Sequence, residues 1–330
     1  MRLSVLDQSP ISEGSSGAEA LRNSVDLARL ADRLGYHRYW VAEHHGTPML
    51  ACASPEALIG PMASATSRIR VGSGGVMLPH YSPLKVAETF SMFSGLFAGR
   101  IDLALGRAPG TDALTAFALQ RDRRQGAPDD FPEQLAELLG YLGHTLQPSH
   151  PFARLCHLPG EPECPDPWLL GSSPQSGIWA AELGLPYAFA DFINAKGVEI
   201  AARYRDTFAS SRWRPRPELI VALWVLCADT DEEAERVASS GAMSFRLLRR
   251  GQLIAIPPVE KALRFIEEET GHGPPPQSDR RRIVGSPARV REGIEAAVRE
   301  YGADEAMIVT IAYEHEARRR SYELIAQAFA

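Results

Sequence analysis

The chain has 330 residues, 45% of them hydrophobic and 23% charged, with a formal net charge of -6. That balance excludes a disordered chain and suits a globular one able to bury a sizeable core. No basic tract beyond Arg280-Arg281-Arg282 could follow a phosphate backbone, which argues against a nucleic-acid partner, and no apolar run is long enough to cross a bilayer as a helix.

Taken in chain order, short runs rich in β-formers recur: RLSVL, RYWVA, IRVG, IDLAL, PWLLG, PYAFA, LIVALWVLCA and AMIVTIAY. Between them lie stretches with apolar residues at three- and four-residue spacing, among them EALRNSVDLARLADRLG, EALIGPMASAT, FPEQLAELLGYLG and ARVREGIEAAVREYG. Strands separated by helices run parallel, and right-handed crossovers in series close most simply into a (β/α)8 TIM barrel, here expected as a single domain over residues 1–330. The rival is an open doubly wound sheet. It would usually carry a GxGxxG turn after its first strand, and LDQSPISEGSSGAEA has none.

Ser54-Pro55, Ser82-Pro83 and Ser286-Pro287 each set a hydroxyl before a proline, which predicts three capped helix starts. Two stretches, 145–167 and 251–283, are too long for ordinary connections. The second follows strand seven, on the rim where barrel enzymes build their sites, and its glycines, prolines and charges predict an insertion acting as a mobile lid. Four cysteines (Cys52, Cys156, Cys164 and Cys227) form no CxxC pair, and the chain opens directly on a strand-like run, so a reducing cytoplasm is expected.

The strand ends hold the candidate site. Strand two ends in Glu43-His44-His45; successive side chains on a strand face opposite ways, so one histidine reaches a pocket, with Glu43 as a candidate partner. Hydrogen-bonded scaffolding is the bland alternative. Zinc needs three or four ligands and no HxH or HxxxH lies nearby, so no metal is expected. Gly72, Gly74 and Gly75 interrupt strand three, as at a bulge or a close backbone approach. Arg107 follows Gly106 at the end of strand four, placed to grip an anion or to make a surface ion pair. After strand five, Gly171, Ser172, Ser173, Ser176 and Gly177 enter a helix whose start could seat a phosphate or simply be capped.

Together these segments resemble the bacterial luciferase-like flavin monooxygenases, from SVLDQSPI through WVAEHH, IRVGSGGVMLPHYSPLKVAE, GRIDLALGRAPGTD and WLLGSSPQSGIWAAELGLPYAFA to AMIVTIAYEHEARRRSYELIA. The resemblance implies a barrel that binds FMN in reduced form, supplied by a separate flavin reductase. It implies oxygenation of a small organic substrate by O2 through a flavin C4a-peroxide. His44 resembles the family histidine that handles protons beside the flavin, with Glu43 orienting it. Gly74-Gly75 matches a non-proline cis peptide against the ring, while Arg107, Ser173, Ser176 and Gly177 match the phosphate seat. A homodimer is implied through two helices carrying Ala57, Gly60, Ala63 and Ala65, and Phe90, Phe93 and Phe97. Gly106 stands where light-emitting subunits carry cysteine, so the resemblance is to the non-luminous branch. A deazaflavin-dependent oxidoreductase and a non-catalytic flavin-binding protein are the alternatives.

Overall fold

The computed structural model describes residues 1–107, 110–120, 123–126, 129–155, 157–270 and 281–330. Eight parallel strands form the barrel: β1 (Arg2–Asp7), β2 (Arg38–Val41), β3 (Arg70–Met77), β4 (Ile101–Gly106), β5 (Asp166–Gly171), β6 (Tyr187–Ala190), β7 (Leu219–Cys227) and β9 (Glu305–Val309). The sheet runs in order from β1 to β6, and β7 closes it by pairing with β6 on one side and β9 on the other. β8 (Ile283–Gly285) lies outside this closure, paired with the last residues of β7, and at three residues it is too short to leave a periodic signature. The TIM barrel read from the alternation is therefore the fold, with one extra strand.

Its helices are α1 (Gly17–Leu34), α2 (Pro55–Ala65), α3 (Pro83–Leu96), the short α4 (Ala113–Leu119), α5 (Phe131–Gly143), α6 (Pro174–Glu182), α7 (Val198–Asp206), α8 (Asp231–Leu248), α9 (Val259–Thr270), α10 (Pro287–Tyr301) and α11 (His315–Ala328), of which α1, α2, α5 and α10 fall where apolar spacing placed them. The three Ser-Pro pairs do start α2, α3 and α10, but none of their hydroxyls makes a capping bond. Proline's fixed φ and missing N–H thus mark the start without one. Ser16 and Thr230 do cap, accepting from the N–H groups of Glu19 and Glu233.

Alternation along each strand divides the interior into two cores. Outward residues such as Val5, Tyr39, Leu103, Leu169, Val221 and Ile308 join one large cluster beneath the helices, all fully or almost fully buried. Each such aliphatic side chain contributes about 1.5–3 kcal/mol of burial free energy. Inward residues at the strand starts form an ionic floor. Arg38, only 2% exposed, reaches Asp102 at 2.9 Å and Glu305 at 2.8 Å, and its guanidinium lies 4.6 Å from the Trp168 ring centroid. Trp40 Nε1 donates to the same Asp102 at 2.8 Å. The bottom of the barrel is therefore plugged by paired charges under two indoles.

The described part of the 251–283 segment is tied to the barrel through Ile256 and packs on α8. Ile256 donates to and accepts from the loop after β1, at Ile11 and Glu13, with both bonds 2.8 Å. α9 then lays Ala262 against Met243 and Leu247 of α8. The tip, 271–276, lies outside the described residues. No described helix is long and apolar enough to cross a membrane. Ala63 and Phe90, two of the residues the resemblance assigns to a dimer contact, are 1% exposed and pack in the chain's own core; Met92 and Leu96 of α3, outside that set, are 53% and 70% exposed.

Candidate active site

Above the floor, the inward positions carry small residues: Ala42, Ala188 and Ala222, together with Gly74. Where most barrels fill the axis with branched side chains, these leave a cavity of about 590 Å³ opening at the strand ends. Leu6, Trp40, Leu170, Phe192 and Met307 make its walls mainly apolar, and polar groups enter at the rim: Gln8, Glu43, His44, Arg107, Asp129, Ser172 and Ser173. An apolar chamber with few convergent polar groups is the general form of a small-molecule site.

His44 lines this cavity and His45 does not. Its Nδ1 is buried with no hydrogen-bond partner, a vacancy that costs free energy unless a ligand fills it. Burial, followed by the neighbouring His45, lowers the His44 pKa from its usual value to about 4, so the ring is neutral at pH 7. The expected Glu43–His44 partnership is absent. Glu43, 1% exposed, binds His45 Nε2 at 2.7 Å and accepts from the Met77 N–H at 2.9 Å. Burial raises the Glu43 carboxyl above its ordinary value, with these hydrogen bonds opposing the shift.

On β3 the Gly74-Gly75 peptide is cis, beside a register shift between Gly74 and Val76. A Cβ at Gly74 would come within 2.5 Å of Leu6, and one at Gly75 within 2.6 Å of the Ala104 carbonyl oxygen. Both positions exclude side chains, and Gly74 faces the cavity.

At the far end of the rim, Arg107 and Ser173 come together with Trp179. Arg107 is half exposed, its guanidinium 2.7 Å from Asp129 and 5.7 Å from the Trp179 ring centroid. Ser173 caps α6 by accepting from the Ser176 N–H. Ser176 also lines the cavity, and its hydroxyl has partners within the chain. The Ser176 hydroxyl lies 2.8 Å from both the Ser173 carbonyl oxygen and the Tyr187 hydroxyl. Gly177 lies outside the cavity lining and is needed for packing, since a Cβ there would meet Ile200 at 2.9 Å. Ser172, at the strand-five end the sequence singled out, is in the lining, whereas Gln8, Asp129 and Trp179 were missed; of these, only Gln8, next to a strand end, carried a positional signal.

The arrangement suits a planar aromatic ligand with an anionic tail: a wall without Cβ atoms, an orphaned imidazole nitrogen, and an arginine beside a helix start. Among the described residues, no group of three or more His, Cys, Asp or Glu side chains is placed to hold a metal.

A family model described as "Luciferase-like monooxygenase" matches residues 1–305. A luciferase-like monooxygenase of Escherichia coli (strain K12) is 42% identical over 97% of this chain and 95% of its own length. The crystal structure of apo-MsnO8 superposes with a TM-score of 0.89 at 41% identity, covering 99% of this chain and 98% of the other. The oxygenating component of 3,6-diketocamphane monooxygenase from Pseudomonas putida, solved with FMN, shares the fold at a TM-score of 0.73 and 20% identity, over 99% of this chain and 98% of its own.

Proposed function

The chain belongs to the luciferase-like monooxygenase family, and from that premise we propose that it binds reduced FMN, provided by a separate flavin reductase, and uses O2 to oxygenate a small organic substrate. The observation that carries this reading is the buried, unpartnered His44 Nδ1 in the wall of an apolar cavity whose rim holds Arg107. Arg107 and Ser173, with the start of α6, would hold the phosphate, and Gly74, lining the cavity without a side chain, would leave room for the ring. Bound flavin supplies the activation of oxygen.

The chain's own residues do the rest. Leu6, Trp40, Leu170 and Phe192 exclude water from the reacting centre, which favours transfer to substrate over loss as hydrogen peroxide. His44, neutral and with a free Nδ1, accepts or returns a proton at the ligand edge without first having to lose one. Equilibrium binding tests the reading: FMN should bind, riboflavin more weakly, and an oxidised deazaflavin cofactor more weakly still. Deazaflavin binding without FMN binding would replace oxygenation with hydride transfer.

A further inference from the structure

Glu43 and His45 occupy the junction of the three strands that carry the flavin-facing groups. One Glu43 oxygen is 2.7 Å from His45 Nε2 and the other accepts from the Met77 N–H at 2.9 Å. Met77 ends β3 just past the Gly74 register shift and, like Gly74, faces the cavity. From the same junction, the His45 main chain reaches the loop that follows Arg107: its N–H donates to Gly110 at 3.4 Å and its carbonyl accepts from the Thr111 hydroxyl at 2.9 Å. The Met77 side chain packs there too, within 2.8 Å of where a Cβ on Gly106 would sit.

We propose that Glu43 and His45 form a clasp that sets the relative positions of the His44-bearing end of β2, the glycine wall of β3 and the Arg107 turn of β4. They are thus positioning residues for the flavin, an inference that rests on the flavin reading above. A buried carboxylate with one oxygen held by His45 of its own segment and the other by the Met77 N–H of β3 has little freedom to act on substrate, whereas its removal unties the end of β2 from β3 and leaves the His45 side chain, whose main chain holds the β4 turn, without its partner. The pair holds the wall, and His44 faces the ligand.

Glu43→Ala, Glu43→Gln and His45→Ala would be purified, checked for folding by circular dichroism, and titrated with FMN while the visible absorption of the bound flavin is recorded. Glutamine still accepts from Met77 and meets His45, so it should restore what alanine loses. Expected is a fall of roughly tenfold or more in FMN affinity for the two alanine variants, as for a lost buried hydrogen-bonded group. The bound-flavin spectrum should move toward that of free FMN, and Glu43→Gln should recover both readouts. His45→Ala leaves the Glu43–Met77 bond in place, so it carries the test if Glu43→Ala fails to fold. Wild-type affinity and spectrum in a folded alanine variant would overturn the clasp, as would a glutamine variant no better than alanine. A wild-type protein that binds no flavin would instead sink the functional reading and the clasp with it.

Discussion

Replacing Arg107 with alanine should weaken FMN binding while leaving riboflavin nearly untouched, and the structure sets the size of the difference. A charge-assisted bond to a phosphate contributes about 1.5–3 kcal/mol. Arg107 is not idle in the free chain, because it pairs with Asp129 at 2.7 Å, and binding phosphate requires exchanging that partner. The two side chains are 49% and 72% exposed, so that ion pair contributes only about 0.2–1 kcal/mol. The net loss is about 1–2 kcal/mol, roughly five- to thirtyfold in FMN affinity. Asp129→Ala supplies the opposite arm: freed of its competitor, Arg107 should bind FMN a few-fold more tightly, with riboflavin unchanged. Fluorescence titration of wild type and both variants with each flavin, at two ionic strengths, reads these affinities, and the FMN advantage should shrink at high salt. Equal losses for FMN and riboflavin on Arg107→Ala would refute the phosphate role.

Acidification should expose His44. Its folded pKa of about 4 lies below the ordinary value of 6.5, so the unfolded chain takes up the proton first and stability is lost as pH falls between those values. His44→Gln should flatten that part of the stability curve in chemical denaturation at a series of pH values, and an unchanged slope would contradict the burial argument. Gly75→Ala should destabilise more than Gly74→Ala, because its Cβ meets a backbone oxygen at 2.6 Å, whereas the nearest atom at Gly74 is a leucine methyl; thermal melts in the reverse order would argue against it. Arg38→Met strands Asp102 and Glu305 without their central partner and should cost about 3–5 kcal/mol in urea unfolding. A loss below about 1 kcal/mol would mean that packing alone holds the barrel floor.

How far the sequence could be read depended on whether a feature was local. The eight barrel strands and their helices are written in short-range periodicity, and the glycine kink in β3 lies within one run of residues. α9 was legible in Val259, Ala262 and Phe265, but the glycines and prolines beyond it made the whole segment look irregular. The partners of side chains were not legible. Glu43 binds His45 and Met77 because β2 ends at Val41 and the chain then turns toward β3, a geometry that strand alternation does not encode. Ser176 turns inward because Tyr187, on the next strand, presents a hydroxyl to it. That Gly177 also makes room for Ile200 of α7 shows only when α7 is placed beside it. Met77, Tyr187 and Ile200 each come from another element, so sequence spacing reached the neighbourhood of these residues but not their partners.

The most direct test of the account is to mix the protein anaerobically with reduced FMN, admit O2, and follow the flavin absorbance in a stopped-flow instrument. Oxygenation chemistry predicts an oxygen-dependent transient matching neither reduced nor oxidised FMN, longer-lived than in free solution and shortened in His44→Ala. Direct reoxidation at the rate of free FMN, with hydrogen peroxide formed in step, would contradict it.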